Sequence, residues 1–249
     1  MPSLSVEGVE VRYGARVAVA GVWLELGAGE MLGLVGESGC GKTSLARAIV
    51  GLEPLRAGRV LLDGAPLPRG RVQLVFQDPE SALSPRLTVG QTLAEPLRLA
   101  GVRDRRERVA ELLELVGLPA AFAERPPRAL SGGQRQRVGI ARALASEPSV
   151  LVCDEPVSAL DASVRAQVMN VLLDLRDRLG LSCLFISHDL ALVRQACERI
   201  AVMHQGRIVE QGPSDVVVNA RSRGSHRSVT SLRSAASRVP AVKRRREPT

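Results

Sequence analysis

Short apolar runs alternate along this chain with stretches whose apolar residues recur at helical spacing. Residues 3–11 mix apolar and polar positions in a strand-like way until Gly14 breaks the pattern. Residues 17–26 repeat it and close on the Gly27-Ala28-Gly29 turn. Residues 31–35 are a continuous apolar run, the pattern of a parallel strand covered on both faces. A glycine-rich loop, 36–41, follows, and the spacing predicts a helix over 44–52. Pro54, Gly58 and Gly64 punctuate a hairpin-like stretch around 60–62, and 72–76 is again strand-like.

From Asp78 to Ser146 the character changes. Val109, Leu112, Leu113 and Val116 share one face of a predicted helix over 103–116, opposite a charged face. A second helix is predicted over 135–145. Residues 150–153 restore the buried-strand pattern, 164–179 form an amphipathic helix, and 183–186 are one more short strand. Strands alternating with helices predict an α/β fold with a mainly parallel sheet. The expected organisation is a core of residues 1–77 and 147–218, an antiparallel β subdomain within it, a helical subdomain over 78–146, and a basic tail over 219–249.

Composition narrows the field. The 249 residues contain no run of about 18 apolar positions, so no membrane span is expected, and the N-terminus lacks a signal-peptide pattern. The aromatic residues are Tyr13, Trp23, Phe76, Phe122 and Phe185, too few for a platform that stacks single-stranded nucleic acid. The net charge of +8 invites a nucleic-acid or membrane reading, but nine basic residues and one acid fall within 219–249. The rest of the chain is balanced, which removes the charge argument for nucleic acid. Rich in Ser and poor in large apolar side chains, the tail reads as a solvated extension, with Lys243 to Arg246 as an alternative patch for anionic headgroups. Cys40, Cys153, Cys183 and Cys197 form no C-x-x-C pair, so separate thiols in a reducing compartment are expected rather than disulfides or zinc.

Three motifs carry the chemistry. Gly36-Glu37-Ser38-Gly39-Cys40-Gly41-Lys42-Thr43 fits G-x-x-x-x-G-K-[ST] between a predicted strand and a predicted helix, with Ser44 continuing it. Glycines let the backbone approach phosphate, Lys42 neutralises β/γ-phosphate charge, and Thr43 offers its hydroxyl to Mg²⁺. Lys42 is one of only two lysines in the sequence, so it is not filler. Residues 150–153 then lead into adjacent carboxylates at a strand end. Asp154 suits the magnesium shell, and Glu155 suits a base that orients or deprotonates water. Ser131-Gly132-Gly133-Gln134 precedes a helix that Ser131 can cap, a second anion site on one chain. A monomer has no use for two such sites, which points to nucleotide sandwiched between chains.

With Leu130 completing L-S-G-G-Q, the sequence resembles the ATP-binding cassette family over residues 4–218. The resemblance implies ATP and Mg²⁺ as ligands and ATP hydrolysis as the activity. It makes Tyr13 the ring that stacks on adenine, and Gln77 the glutamine that contacts magnesium and couples to a membrane partner. His188 becomes the histidine that contacts γ-phosphate. Ser158 to Asp161 becomes the loop that crosses a dimer interface, with Asp161 at the nucleotide. Phe76-Gln77-Asp78-Pro79-Glu80-Ser81-Ala82-Leu83-Ser84-Pro85-Arg86, with Arg125-Pro126-Pro127, resembles the peptide/nickel importer branch. The peptide subfamily's His-Pro-Tyr-Thr segment is replaced here by Ser225-His226-Arg227-Ser228-Val229-Thr230, and the short Arg-rich ending looks more like nickel-system subunits, but no residue here touches cargo, so the choice between peptide and nickel stays open. This branch implies permease subunits, a second ATPase subunit, indirectly an external solute-binding protein, and a place on the cytoplasmic face of the membrane. ATPases of DNA repair or translation share the signature. They separate the motifs with a coiled coil or zinc module, or fuse two cassettes, whereas only 94 residues lie between Gly36 and Ser131 here.

Overall fold

The computed structural model describes residues 3–78 and 83–223. Residues 79–82 of the branch motif and the stretch from Gly224 onward lie outside them. β1 (Leu4–Tyr13) and β2 (Arg16–Leu26) pair antiparallel, and β4 (Ala57–Leu62) and β5 (Ala65–Pro66) extend them into a sheet ordered β2-β1-β4-β5. A second sheet takes β3 (Met31–Val35), β6 (Val72–Val75), β7 (Val150–Asp154), β8 (Ser182–Ile186), β9 (Arg199–His204) and β10 (Arg207–Pro213). Its order is β10-β9-β3-β8-β7-β6, parallel throughout except for β10 at the edge.

The period of two along each central strand decides what covers it. Leu32, Leu34, Val150, Val152, Leu184, Ile186, Ala201 and Met203 face the antiparallel sheet and α1 (Lys42–Ile49). Met31, Leu151, Cys153, Cys183, Phe185, Ile200 and Val202 face the helical layer. That layer contains α2 (Val89–Leu99), α3 (Arg105–Leu115), α4 (Gly132–Leu144), α5 (Ala162–Leu179), α6 (Leu190–Ala196) and α7 (Ser214–Arg223). Covered on both faces, these strands read as unbroken apolar runs, and β3, β7 and β8 lie within a residue of expectation. All four cysteines are free and buried; burial pushes the Cys183 thiol up to about 12.

Several elements differ from the sequence reading. The helix expected over 44–52 is α1, which starts at Lys42 because Gly41, at φ 112, turns the chain sharply enough for the helix to begin inside the loop. It ends at Ile49 in a Schellman turn: Gly51 sits at φ 78, the Leu52 amide donates to the Arg47 carbonyl at 2.8 Å, and Gly51 donates to Ala48 at 3.1 Å. α2 was hidden by Pro96 in its interior, although a capping box of Thr88 and Gln91 marks its start. β9 and β10 were missed as well, and their turn at Gln205 and Gly206 (φ 46 and 78) is the two-residue hairpin signal that would have found them. α7 carries the fold to Arg223, five residues into the stretch read as tail, with Val217 and Val218 buried.

Gly33 lies in β3 directly beneath α6. A methyl there would overlap Val193 Cγ1 and stand 3.3 Å from Cys197 Sγ. Gly33→Val is therefore expected to cost about 1–3 kcal/mol by overpacking, read as a lower urea midpoint with unchanged slope.

Candidate functional site

The parallel strands end at one edge of the sheet, and each end delivers a motif. β3 runs into the glycine loop, β7 into Asp154 and Glu155, β8 into Ser187 and His188, and β6 toward Gln77. Ligands of open α/β sheets bind outside these carboxyl ends.

The loop is shaped by close backbone approach. A methyl on Gly36 would overlap the Met203 carbonyl, and one on Gly41 would overlap that of Ala18. The β9–β10 turn holds the loop from behind: the Gly206 amide donates to the Cys40 carbonyl at 2.8 Å, and Ala20 donates to Gly206 at 2.8 Å. Lys42 is 6% exposed, and its Nζ donates to the carbonyls of Gly36 at 2.8 Å and Glu37 at 3.0 Å. The loop thus folds round its own cation. Burial pushes the Cys40 thiol up, with Lys42 acting in the opposite direction.

Asp154 is buried beside Lys42 and hydrogen-bonded to the Thr43 side chain. Burial pushes its carboxyl up, the Thr43 hydrogen bond pulls it back down, and Glu155 raises it again. Its Oδ1 is buried with no partner among the described residues. An orphaned carboxylate oxygen next to a hydroxyl fits a hard divalent cation. No cluster of three acidic, His or Cys side chains for a metal exists among the described residues. The carboxylate–hydroxyl pair of Asp154 and Thr43 suits Mg²⁺, which takes one or two carboxylates and draws its other ligands from water and substrate phosphate.

Glu155 occupies φ 47, a conformation uncommon outside glycine, and its amide donates to the Ile186 carbonyl at 2.9 Å. That strained turn aims the carboxylate at the cavity. Its Oε2 lies 3.1 Å from His188 Nδ1 and 3.5 Å from Gln77 Nε2. Gln77 Nε2 is also 3.4 Å from Ser158 Oγ, which donates to the Glu155 carbonyl at 3.1 Å.

A cavity of about 520 Å³ opens over these groups. Tyr13, 43% exposed, stands at its rim, and Ser38, Gly39, Gly41, Lys42, Thr43 and Ser44 form its floor. Gln77, Glu155 and His188 close one side, while Arg16 and Ala18, which the sequence reading missed, complete the other. A larger hollow of about 780 Å³ lies at the opposite ends of the strands, lined by Arg71, Ser149 and Leu181, and holds none of the motif residues. Ser131, Gly132, Gly133, Gln134 and Asp161 do not line the motif cavity of their own chain. Ser131 and Gln134 form a capping box at the start of α4, and Asp161 precedes α5. Gln136 was also missed. It is 1% exposed and donates to the Phe76 carbonyl at 3.3 Å, tying α4 to the end of β6. Its place four residues before Ile140, a polar side chain on the apolar face of α4, was the available signal.

The profile of the ABC transporter family matches residues 19–158. A peptide import ATP-binding protein of Brucella abortus is 54% identical over 210 residues, 79% of this chain, and one of Brucella ovis is 46% identical over 231 residues, 86% of this chain. The chain spans 63% of the length of the first and 73% of the second. Among solved structures, cbiO1 of Clostridium perfringens, part of the ABC transporter complex cbiONQ, superposes with TM-score 0.78 at 29% identity, covering 89% of this chain and 92% of its own. A dimeric ATP-binding cassette in a post-hydrolysis state with ADP and Pi gives 0.75 at 29% identity over 85% and 98%.

Asp154→Asn removes a charge that burial disfavours. The ligand-free protein is expected to gain about 1 kcal/mol at neutral pH, or about 2–4 °C in melting temperature. Because the folded carboxyl ionises later than the unfolded one, that gain vanishes below the ordinary value of 3.8 and develops as the pH rises through the folded-state value. In the same variant Mg²⁺ is expected no longer to tighten nucleotide binding, a loss measurable by titration with and without the metal.

Proposed function

The chain belongs to the ABC transporter family, and from that premise we propose that it binds and hydrolyses ATP to energise import through partner permeases. What carries the reading is the meeting of Lys42, Thr43, Glu155, His188 and Gln77 around one cavity built from four strand ends, with Asp154 hydrogen-bonded to Thr43. The names of the relatives favour a peptide as cargo. The cargo stays on the permease side of the machine, away from this cavity.

In this proposal Tyr13 stacks on adenine, and the amides of the loop and of the first turn of α1 receive the phosphates. Lys42 leaves the Gly36 and Glu37 carbonyls for the β/γ oxygens. Thr43 and Asp154 hold magnesium, whose charge offsets that of the phosphates when it is bound. Glu155 takes the proton of the attacking water, and His188 and Gln77, both within reach of its Oε2, orient base and water. The Ser131–Gln134 turn and Asp161, which miss their own chain's cavity, serve the nucleotide of a second ATPase subunit. The dimeric form of a close structural neighbour supports that pairing.

Coupling to a permease is assigned to a hollow of about 470 Å³ between the end of β6 and α2 and α4. Leu52 and Leu99 stand 59% and 81% exposed at its edge, a cost in water that a helix from a partner would relieve. Gln136 links this hollow through Phe76 to Gln77. Among the described residues no helix is long and apolar enough to cross a membrane. In this reading the permeases supply the span, and the chain docks on them at the cytoplasmic face.

Glu155→Gln is expected to retain ATP binding, lose about 10²–10⁴-fold in turnover, and accumulate as an ATP-bound dimer in size-exclusion chromatography. Hydrolysis at the wild-type rate in that variant would refute the assignment. Lys42→Ala is expected instead to weaken nucleotide binding itself, seen by calorimetry.

A further inference from the structure

One side chain joins the loop before α5 to the segment that carries His188. Arg165, in the first turn of α5, directs Nη1 to Asp189 Oδ2 at 3.2 Å and Nη2 to the Leu160 carbonyl at 3.3 Å. Asp189 follows His188 directly and divides its carboxylate between two tasks. Oδ1 caps α6 through the amides of Ala191 at 3.0 Å and Leu192 at 3.1 Å, while Oδ2 meets Arg165. The Asp189 amide is itself held by Ser187 Oγ at 3.0 Å. His188 then meets Glu155 at 3.1 Å.

The other end of this connection leans on the start of α4. Leu160 Cδ2 would be 3.4 Å from a methyl on Gly132, and Val164, next to Arg165, packs so closely on Gly133 that a methyl there would overlap its Cγ1. An uninterrupted path of contacts therefore runs from the Gly132–Gly133 turn through Leu160 and Val164 to Arg165, Asp189, His188 and Glu155. We propose that Arg165 is a positioning residue. It conveys the placement of the α4 N-terminal turn, set by the second subunit's nucleotide, to His188 and so to the base Glu155 in its own cavity.

The guanidinium suits this role because its planar fork fixes the separation of two acceptors at once, which an ammonium cannot do. The Arg165–Asp189 pair is one-third exposed on both sides, so it contributes little to folding; what it sets is geometry. The inference rests on the ATP-hydrolysis reading above.

The test measures ATP turnover of the full chain for Arg165→Gln, Asp189→Asn, the double variant and Arg165→Lys. Asparagine caps a helix as well as aspartate, so Asp189→Asn breaks the ion pair and spares α6. Each single variant is expected to lose about tenfold in kcat with KM for ATP unchanged, as a misplaced group outside the reacting atoms does. The double variant is expected to be no slower than the slower single one, because both break one link. Arg165→Lys, retaining charge without the fork, recovers only part of the rate. Wild-type kcat in Arg165→Gln, losses that multiply in the double variant, or lost binding of a fluorescent ATP analogue in both singles would each overturn the proposal. If the wild-type chain does not hydrolyse ATP, or Glu155→Gln hydrolyses it normally, the function itself fails. With the wild type active and Glu155→Gln inactive, the Arg165 series stands as an independent result.

Discussion

Parallel pairing in register is the constraint on which the site depends. β7 and β8 pair so that Asp154 lies opposite Ile186, and β8 pairs with β3 so that Ile186 lies opposite Leu34. Three strands therefore stop at one level, and the residues just beyond them emerge as neighbours, although Glu155 and His188 are 33 positions apart and the loop after β3 lies more than a hundred positions before either. The register holds because a slip of one residue would exchange the two faces of each strand. Val150 and Val152 would then leave the layer shared with α1, and Leu151 and Cys153 would leave the helical layer. Core packing thus fixes where the chemistry can sit.

Within that frame the electrostatics are arranged against folding and in favour of ligand. Lys42 is buried against two carbonyl oxygens and the Cys40 sulfur, Asp154 is buried with an oxygen unsatisfied, and Glu155 is held at a strained φ. Each costs stability in the free chain. A polyphosphate with a divalent cation answers these demands together: anionic oxygens for the lysine and a cation for the aspartate. The Ser131–Gln134 turn, which the proposed function gives to a second chain, carries no such strain, and a capping box pairs the Ser131 and Gln134 amides.

Much of this was legible in the sequence because burial on both faces leaves an unambiguous apolar run, and because the loop motif follows such a run and opens a helix. β3, β7 and β8, with Lys42, Thr43, Asp154 and Glu155 at their ends, were readable on those grounds. α2 carries an internal proline that masks its helical pattern, whereas β9 has an apolar run at 200–203 as long as those of β7 and β8 and was overlooked together with the hairpin turn that joins it to β10. Arg16, Ala18 and Gln136 escaped for another reason. Arg16 and Ala18 act through a rim contact that no short motif encodes, and Gln136, though marked by its place on the apolar face of α4, gains its partner at the end of β6 only from tertiary placement. Asp189 and Arg165 are likewise joined only once α5 and β8 have been laid side by side.

The central claim is that each catalytic site is made from two chains, one supplying the phosphate loop and Glu155, the other the turn at Ser131. Mixing two inactive variants tests it most directly. Lys42→Ala and Ser131→Arg each disable every site when alone, but a mixed dimer contains one site with both an intact loop and an intact turn. The account predicts that ATP hydrolysis, absent from either variant by itself, returns when the two are combined. Full activity of Ser131→Arg alone, or no recovery from a mixture in which both chains are folded and dimeric, would contradict it.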